Sequence, residues 1–130
     1  MKRSHFLLLA GVLACLFSIM MMLAPDQMLA NVSTITNEGA RNVTRWLGAN
    51  LFAIGVINIL ARNDAGSEAL RAIMIGNIVL HLVAMTFDTI DYTNGIVKGS
   101  GVVMGAIVHI GLSLGFLYYL RAKRPSPAVA

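Results

Sequence analysis

Residues 72–90 read AIMIGNIVLHLVAMTFDTI, an apolar run interrupted by Asn77, His81, Asp88 and two threonines. A helix rises about 1.5 Å per residue, so a run of this length reaches across a hydrocarbon layer of roughly 30 Å. In lipid the backbone has to satisfy its own hydrogen bonds, and a helix does so within one segment. Residues 72–90 are therefore read as a transmembrane helix. Three further runs, 6–24, 46–61 and 101–120, are equally apolar, and short polar segments separate them. The chain is expected to be all-α: a four-helix transmembrane bundle forming a single membrane domain over residues 1–130.

The second run is short for a span. Its helix is expected to begin near residue 40, with Thr36 or Asn37 as cap and Glu38, Arg41 and Arg45 in its first turns. The spans are thus 6–24, 40–61, 72–90 and 101–120, and the outer loop before the second holds a partial helix. Residues 121–130, with Pro125 and Pro127, read as a flexible basic tail.

Composition agrees. The 130 residues are 57% hydrophobic and 12% charged, with a mean hydropathy of +0.74, too apolar to cover a soluble globule. When the chain is threaded back and forth, Lys2, Arg3, Arg62, Arg71, Arg121, Lys123 and Arg124 fall on one side. Arg41, Arg45 and Lys98 fall on the other. By the positive-inside rule both termini are cytoplasmic and the protein is a multi-pass protein of the cell inner membrane. The basic pI near 9.7 is then a topological signal with some attraction to anionic lipid headgroups, and no nucleic-acid partner is expected. Residues 6–24 exceed the length of a signal-peptide core and lack a clean small-residue cleavage site, so the first span is expected to stay uncleaved. Cys15 is alone, which excludes an intrachain disulfide.

The chemistry-bearing residues lie inside the spans. At about 100° per residue, Asn77, His81 and Asp88 share one helical stripe. A charged side chain at mid-helix costs around 2.5–3.5 kcal/mol in lipid, so this stripe faces the bundle interior. Antiparallel threading puts Asn58 at the depth of Asn77 and His109 at the depth of His81, near the midplane. Asn58, Asn77, His81, Asp88 and His109 are the candidate ligand-binding set. Arg41 and Arg45 sit near the height of Asp88 and Asp91 and are expected to form an ion pair at the outer rim. Gly101, Gly105, Gly111 and Gly115 give two small-xxx-small spacings for helix packing. No nucleophile, metal cluster or phosphate loop accompanies these residues, so neither a catalytic residue nor a metal site is assigned.

Several strings carry a resemblance: Arg45-Trp46-Leu47-Gly48, Ala61-Arg62-Asn63, Ala69-Leu70-Arg71-Ala72-Ile73 with Gly76-Asn77, Asn94-Gly95, and Gly115-Phe116-Leu117-Tyr118-Tyr119-Leu120. Through them most of residues 6–120 resembles a group of small bacterial four-span inner-membrane proteins without an assigned function. The resemblance implies a four-helix bundle and no specific role. The leading expectation is a non-catalytic accessory or scaffold subunit that contacts membrane lipids and packs against another membrane protein or itself. The alternative binds or moves a small ligand, ion or proton through the polar interior. A third reading, a haem or quinone redox protein, would use His81 and His109 as axial ligands. No cofactor is assigned in the leading reading.

Overall fold

A computed structural model describes residues 1–122; of the basic tail expected from residue 121, residues 123–130 lie outside the described part. The chain forms α1 (Arg3–Leu23), α2 (Pro25–Val32), α3 (Glu38–Ala61), α4 (Glu68–Thr93) and α5 (Gly99–Arg121). Local chemistry sets the breaks. Pro25 has no N–H to continue the ladder of α1 and instead opens α2 at its first position. Asn37 caps α3 by accepting from the Ala40 N–H at 2.8 Å, and Ser67 caps α4 by accepting from the Leu70 N–H at 3.1 Å. Gly95, with φ of 72°, turns the chain back between α4 and α5 in a conformation that costs glycine little.

Four of the helices, α1, α3, α4 and α5, are long and apolar enough to cross a membrane. Their outward faces carry Leu8, Leu16, Phe52, Leu60, Val79, Phe87, Ile107 and Leu114, all exposed. Water-soluble monomers rarely show continuous apolar surface on this scale. The fold is an all-α four-helix membrane bundle, with α2 as a short additional helix.

Within the bundle the closest pairs are α1 with α3 and α4 with α5. The first pair meets along small residues. A Cβ at Gly11 would stand 2.7 Å from the Gly55 carbonyl oxygen, and one at Gly55 would stand 2.7 Å from Cys15 Sγ. Further along, Gly48 lies against Met21 and the Ser18 carbonyl. The two pairs are joined by side chains at the end that carries Arg3 and Arg121. Buried there are Phe6, Leu7, Ala10, Leu70, Met74 and Phe116, drawn from α1, α4 and α5. The Phe6 ring meets Phe116 edge-on at 4.9 Å and Tyr119 at 5.2 Å, and Gly115 leaves the space its ring fills.

At the opposite end α2 lies across the bundle, and the segment after it is clasped to the α4–α5 turn. Ser33 and Val97 form an antiparallel bridge; the Thr34 N–H donates to the Ile96 carbonyl at 2.9 Å and the Lys98 N–H to the Val32 carbonyl at 2.9 Å. Ser100 adds a side-chain bond to the Asn31 carbonyl at 3.0 Å. The expected rim pairing is corrected here. Arg41 is bound to Asp26 of α2, Nε to Oδ1 at 2.5 Å, and neither Arg41 nor Arg45 pairs with Asp88 or Asp91 among the described residues. α2 places a carboxylate beside the first turns of α3, nearer than anything α4 offers.

Candidate functional site

The inward face of α4 is Leu70, Met74, Asn77 and His81, a row repeating every three or four residues, and Asp88 continues it toward the α2 end. α5 meets it through Gly105, His109 and Phe116. Gly105 is essential to the fit: a Cβ there would stand 2.5 Å from Asp88 Oδ2. Its absence lets the carboxylate lie over the α5 backbone within reach of His109, one turn along.

Two polar groupings result. Asn58 of α3 and Asn77 of α4 exchange amide hydrogen bonds, each Nδ2 donating to the other's Oδ1 at 3.0 Å, and Asn77 Nδ2 also donates to the Ile73 carbonyl at 2.8 Å. Both amides are buried. Asn77 has both its N–H donors engaged, so this pair reads as a clamp between the two helix pairs. The second grouping is a chain: His81 Nδ1 lies 3.0 Å from His109 Nδ1, and His109 Nε2 lies 3.5 Å from Asp88 Oδ2. His81 is 7% exposed, and its ring stacks on the wholly buried Phe116 at 6.1 Å.

Proton bookkeeping on this chain is constrained by geometry. Two facing Nδ1 atoms make a hydrogen bond when one of them carries the proton. If His81 Nδ1–H donates, His109 Nδ1 accepts and His109 Nε2–H points at an ionised Asp88. With one more proton on His81 Nε2, the chain is an imidazolium, a neutral imidazole and a carboxylate, with no net charge. The other arrangement of the same protons has Asp88 protonated toward His109 Nε2, His109 Nδ1–H donating to His81, and His81 protonated at Nε2. These two forms interconvert when the Asp88 proton passes to His109 Nε2 as the His109 Nδ1 proton passes to His81. No bond between heavy atoms changes. The arrangement can carry positive charge between the outer part of α4 and the centre of the bundle.

The sequence placed Asn58, Asn77, His81, Asp88 and His109 in one interior, and the structure divides them into the clamp and the chain. Of the four glycines expected to pack helices, Gly101 meets Val32 of α2, Gly105 meets Asp88, and Gly115 meets Phe6. Gly111 has nothing within 4 Å and faces outward. The two imidazoles of the haem reading are in direct contact through their Nδ1 atoms, 3.0 Å apart. Among the described residues no group of three or more His, Cys, Asp or Glu side chains is gathered to hold a metal ion.

Sequence reasoning did not single out Gly11, Gly48, Gly55 and Ser18, although Gly11 and Ser18 repeat at the same seven-residue interval as Gly48 and Gly55. Ser113, on the His109 face of α5 by its spacing, has a buried hydroxyl without a hydrogen-bond partner among the described residues. Fold and surface define the class: a multi-pass membrane protein with a row of ionisable side chains, His81, His109 and Asp88, between two of its helices. No protein-family model, curated protein or solved structure matches it.

Proposed function

We propose that this protein is a proton-responsive, non-catalytic accessory subunit of a bacterial inner membrane, with both termini cytoplasmic. The observation that carries the reading is the Asp88–His109–His81 chain, with its 3.0 Å contact between imidazoles. Intramembrane ionisable residues in contact with one another commonly mark proton relays. The excess of Lys and Arg at the end holding Arg3 and Arg121 supports the orientation. Asp88 then lies toward the outer face and His81 deeper in, so protons enter from outside. Inward of His81, Phe116, Met74, Leu70, Leu7 and Phe6 are apolar and buried. That plug favours a device that takes up a proton and responds over a channel that conducts one. The charged groups around the chain are few: Asp91 follows Asp88 by one turn, α3 presents the neutral Asn58, and the Cys15 thiol of α1 is turned to Phe52 of α3. Partners in this reading are lipids and another membrane protein, or a second copy of the chain.

Nitrogen NMR of histidine-labelled protein in lipid nanodiscs tests the proposal. A scalar coupling between His81 Nδ1 and His109 Nδ1 is expected, and the two rings should titrate as a pair with apparent values that belong to neither alone. Asp88→Asn should change the titration of both. Two independent titrations, unaltered by Asp88→Asn, would remove the relay.

A further inference from the structure

At the end of the bundle that holds both termini, a cleft of about 50 Å³ opens between α1, the start of α4 and the end of α5. Arg3, Ser67, Arg71 and Tyr119 line it together with the apolar Leu70 and Leu120. We propose that this cleft binds the phosphate of an anionic phospholipid.

Two arginines from different helices line one small cleft, and an anion there is drawn to both. Arginine suits the task because its planar donors match phosphate oxygens. Arg3 is held in place: its Nη2 donates to the Asp64 carbonyl at 2.5 Å. Its Nε is shielded from solvent and has no hydrogen-bond partner among the described residues. A buried donor of this kind calls for an acceptor, and a phosphate bound in the cleft supplies one once the Arg3 side chain shifts to present Nε to it. The cleft also lies beside the first turn of α4, where the helix dipole favours negative charge.

The neighbouring carboxylate does not fill this role. Asp64 Oδ1 accepts from the Gly66 and Ser67 N–H groups at 2.7 Å each, and Oδ2 accepts from the Ser67 hydroxyl at 2.8 Å. It is committed to shaping the turn. Tyr119 turns its hydroxyl to the Met1 carbonyl at 2.5 Å, leaving its ring as a wall.

The source of the phosphate follows from the remaining walls. Leu120, which is only partly buried, lines the cleft at the end of a helix long and apolar enough to cross a membrane, so a headgroup held there leaves its acyl chain beside the exposed apolar surface of the bundle. A soluble phosphate would use the arginines and leave the apolar walls unused. Basic recesses between transmembrane helices at the cytoplasmic surface are suited to anionic headgroups for this reason.

The test uses the full-length protein, purified and delipidated in a neutral detergent. Thermal unfolding is followed with added phosphatidylglycerol, with phosphatidylcholine of the same acyl chains, or with inorganic phosphate at the same concentration. Phosphatidylglycerol is expected to raise the Tm, and the other two to leave it near its starting value. In Arg71→Gln, whose side chain is exposed and whose fold should be retained, the lipid concentration giving half the shift should rise about tenfold, the loss of a charge-assisted contact. Lys2→Gln removes a charge at the same end, outside the cleft lining, and should respond as the natural protein does. Equal responses of Arg71→Gln and Lys2→Gln would overturn the proposal in favour of diffuse charge attraction. Equal stabilisation by the two lipids would overturn it as well. Inorganic phosphate reproducing the whole shift would reassign the cleft to a soluble anion.

Discussion

Asn58 and Asn77 each give an amide hydrogen to the other's oxygen in the buried contact between α3 and α4. Interhelical hydrogen bonds in lipid typically contribute about 0.6 kcal/mol and at most about 1.7. Asn58→Ala is therefore expected to destabilise the protein by about 1 kcal/mol, and adding Asn77→Ala should cost less than a second such loss. A double-mutant cycle of unfolding in mixed micelles measures this. Asp64 makes a second prediction. Its carboxyl is held below the ordinary 3.8, first by the Ser67 N–H, then by the Gly66 N–H and the Ser67 hydroxyl. A depressed folded-state value contributes stability that is present above the unfolded value and lost as pH falls through the folded one. The Tm of the natural protein should thus fall below about pH 4 more steeply than that of Asp64→Asn, as a pH series of melts would show. The polar stripe of α4 was legible because the spacing of Asn77, His81 and Asp88 fixes their face. Contact between His81 and His109 was not, since equal depth says nothing of ring rotation, which packing against Phe116 and the space at Gly105 set. Arg41 was misassigned because its partner, Asp26, comes from a helix whose position no pattern in the outer loop revealed.

Each helix pair has its own closing device. Along α1 and α3, Gly11 opposes Gly55, and Gly48 opposes Ser18 and Met21, so the two backbones approach at both ends of the seam. Overpacking such a contact commonly costs about 1–3 kcal/mol. Gly55→Ala should lower stability by that amount, because its new methyl would press on Cys15 Sγ and the Gly11 carbonyl. Gly111→Ala meets nothing within 4 Å and should be neutral or slightly stabilising, since alanine favours a helix by up to about 1 kcal/mol over glycine. Unfolding of the two variants side by side checks the contrast. The Asn37 cap of α3 was readable from its chemistry, whereas the Ser67 cap that opens α4 at Glu68, ahead of the apolar run from residue 72, was not read. The partners of each helix were harder. Glycine spacing in α5 drew attention, yet Gly111, one of the four glycines expected to pack, faces outward, while the matched intervals on α1 and α3 carry the tighter seam.

For the whole molecule, length and apolar surface define the bundle, and the proposed orientation rests on the distribution of charge. A phosphatase fused after Ala30 should be active and one fused after Ala130 inactive, with a fluorescent reporter giving the reverse. Identical results at the two positions would contradict an even number of crossings. The bundle itself was legible because lipid permits few folds. Its interior ligand and partner were not, since the same polar groups serve adhesion and proton transfer alike. The α1–α3 seam has a further consequence. Both of its helices leave the ribosome before α4 begins, so the first hairpin can zip shut in the translocon as a finished half. The second half closes through residues much nearer the carboxyl end, and the Ser33–Val97 bridge ties first to last. Insertion as two successive hairpins, latched by the Ser33–Val97 bridge, would follow from this order.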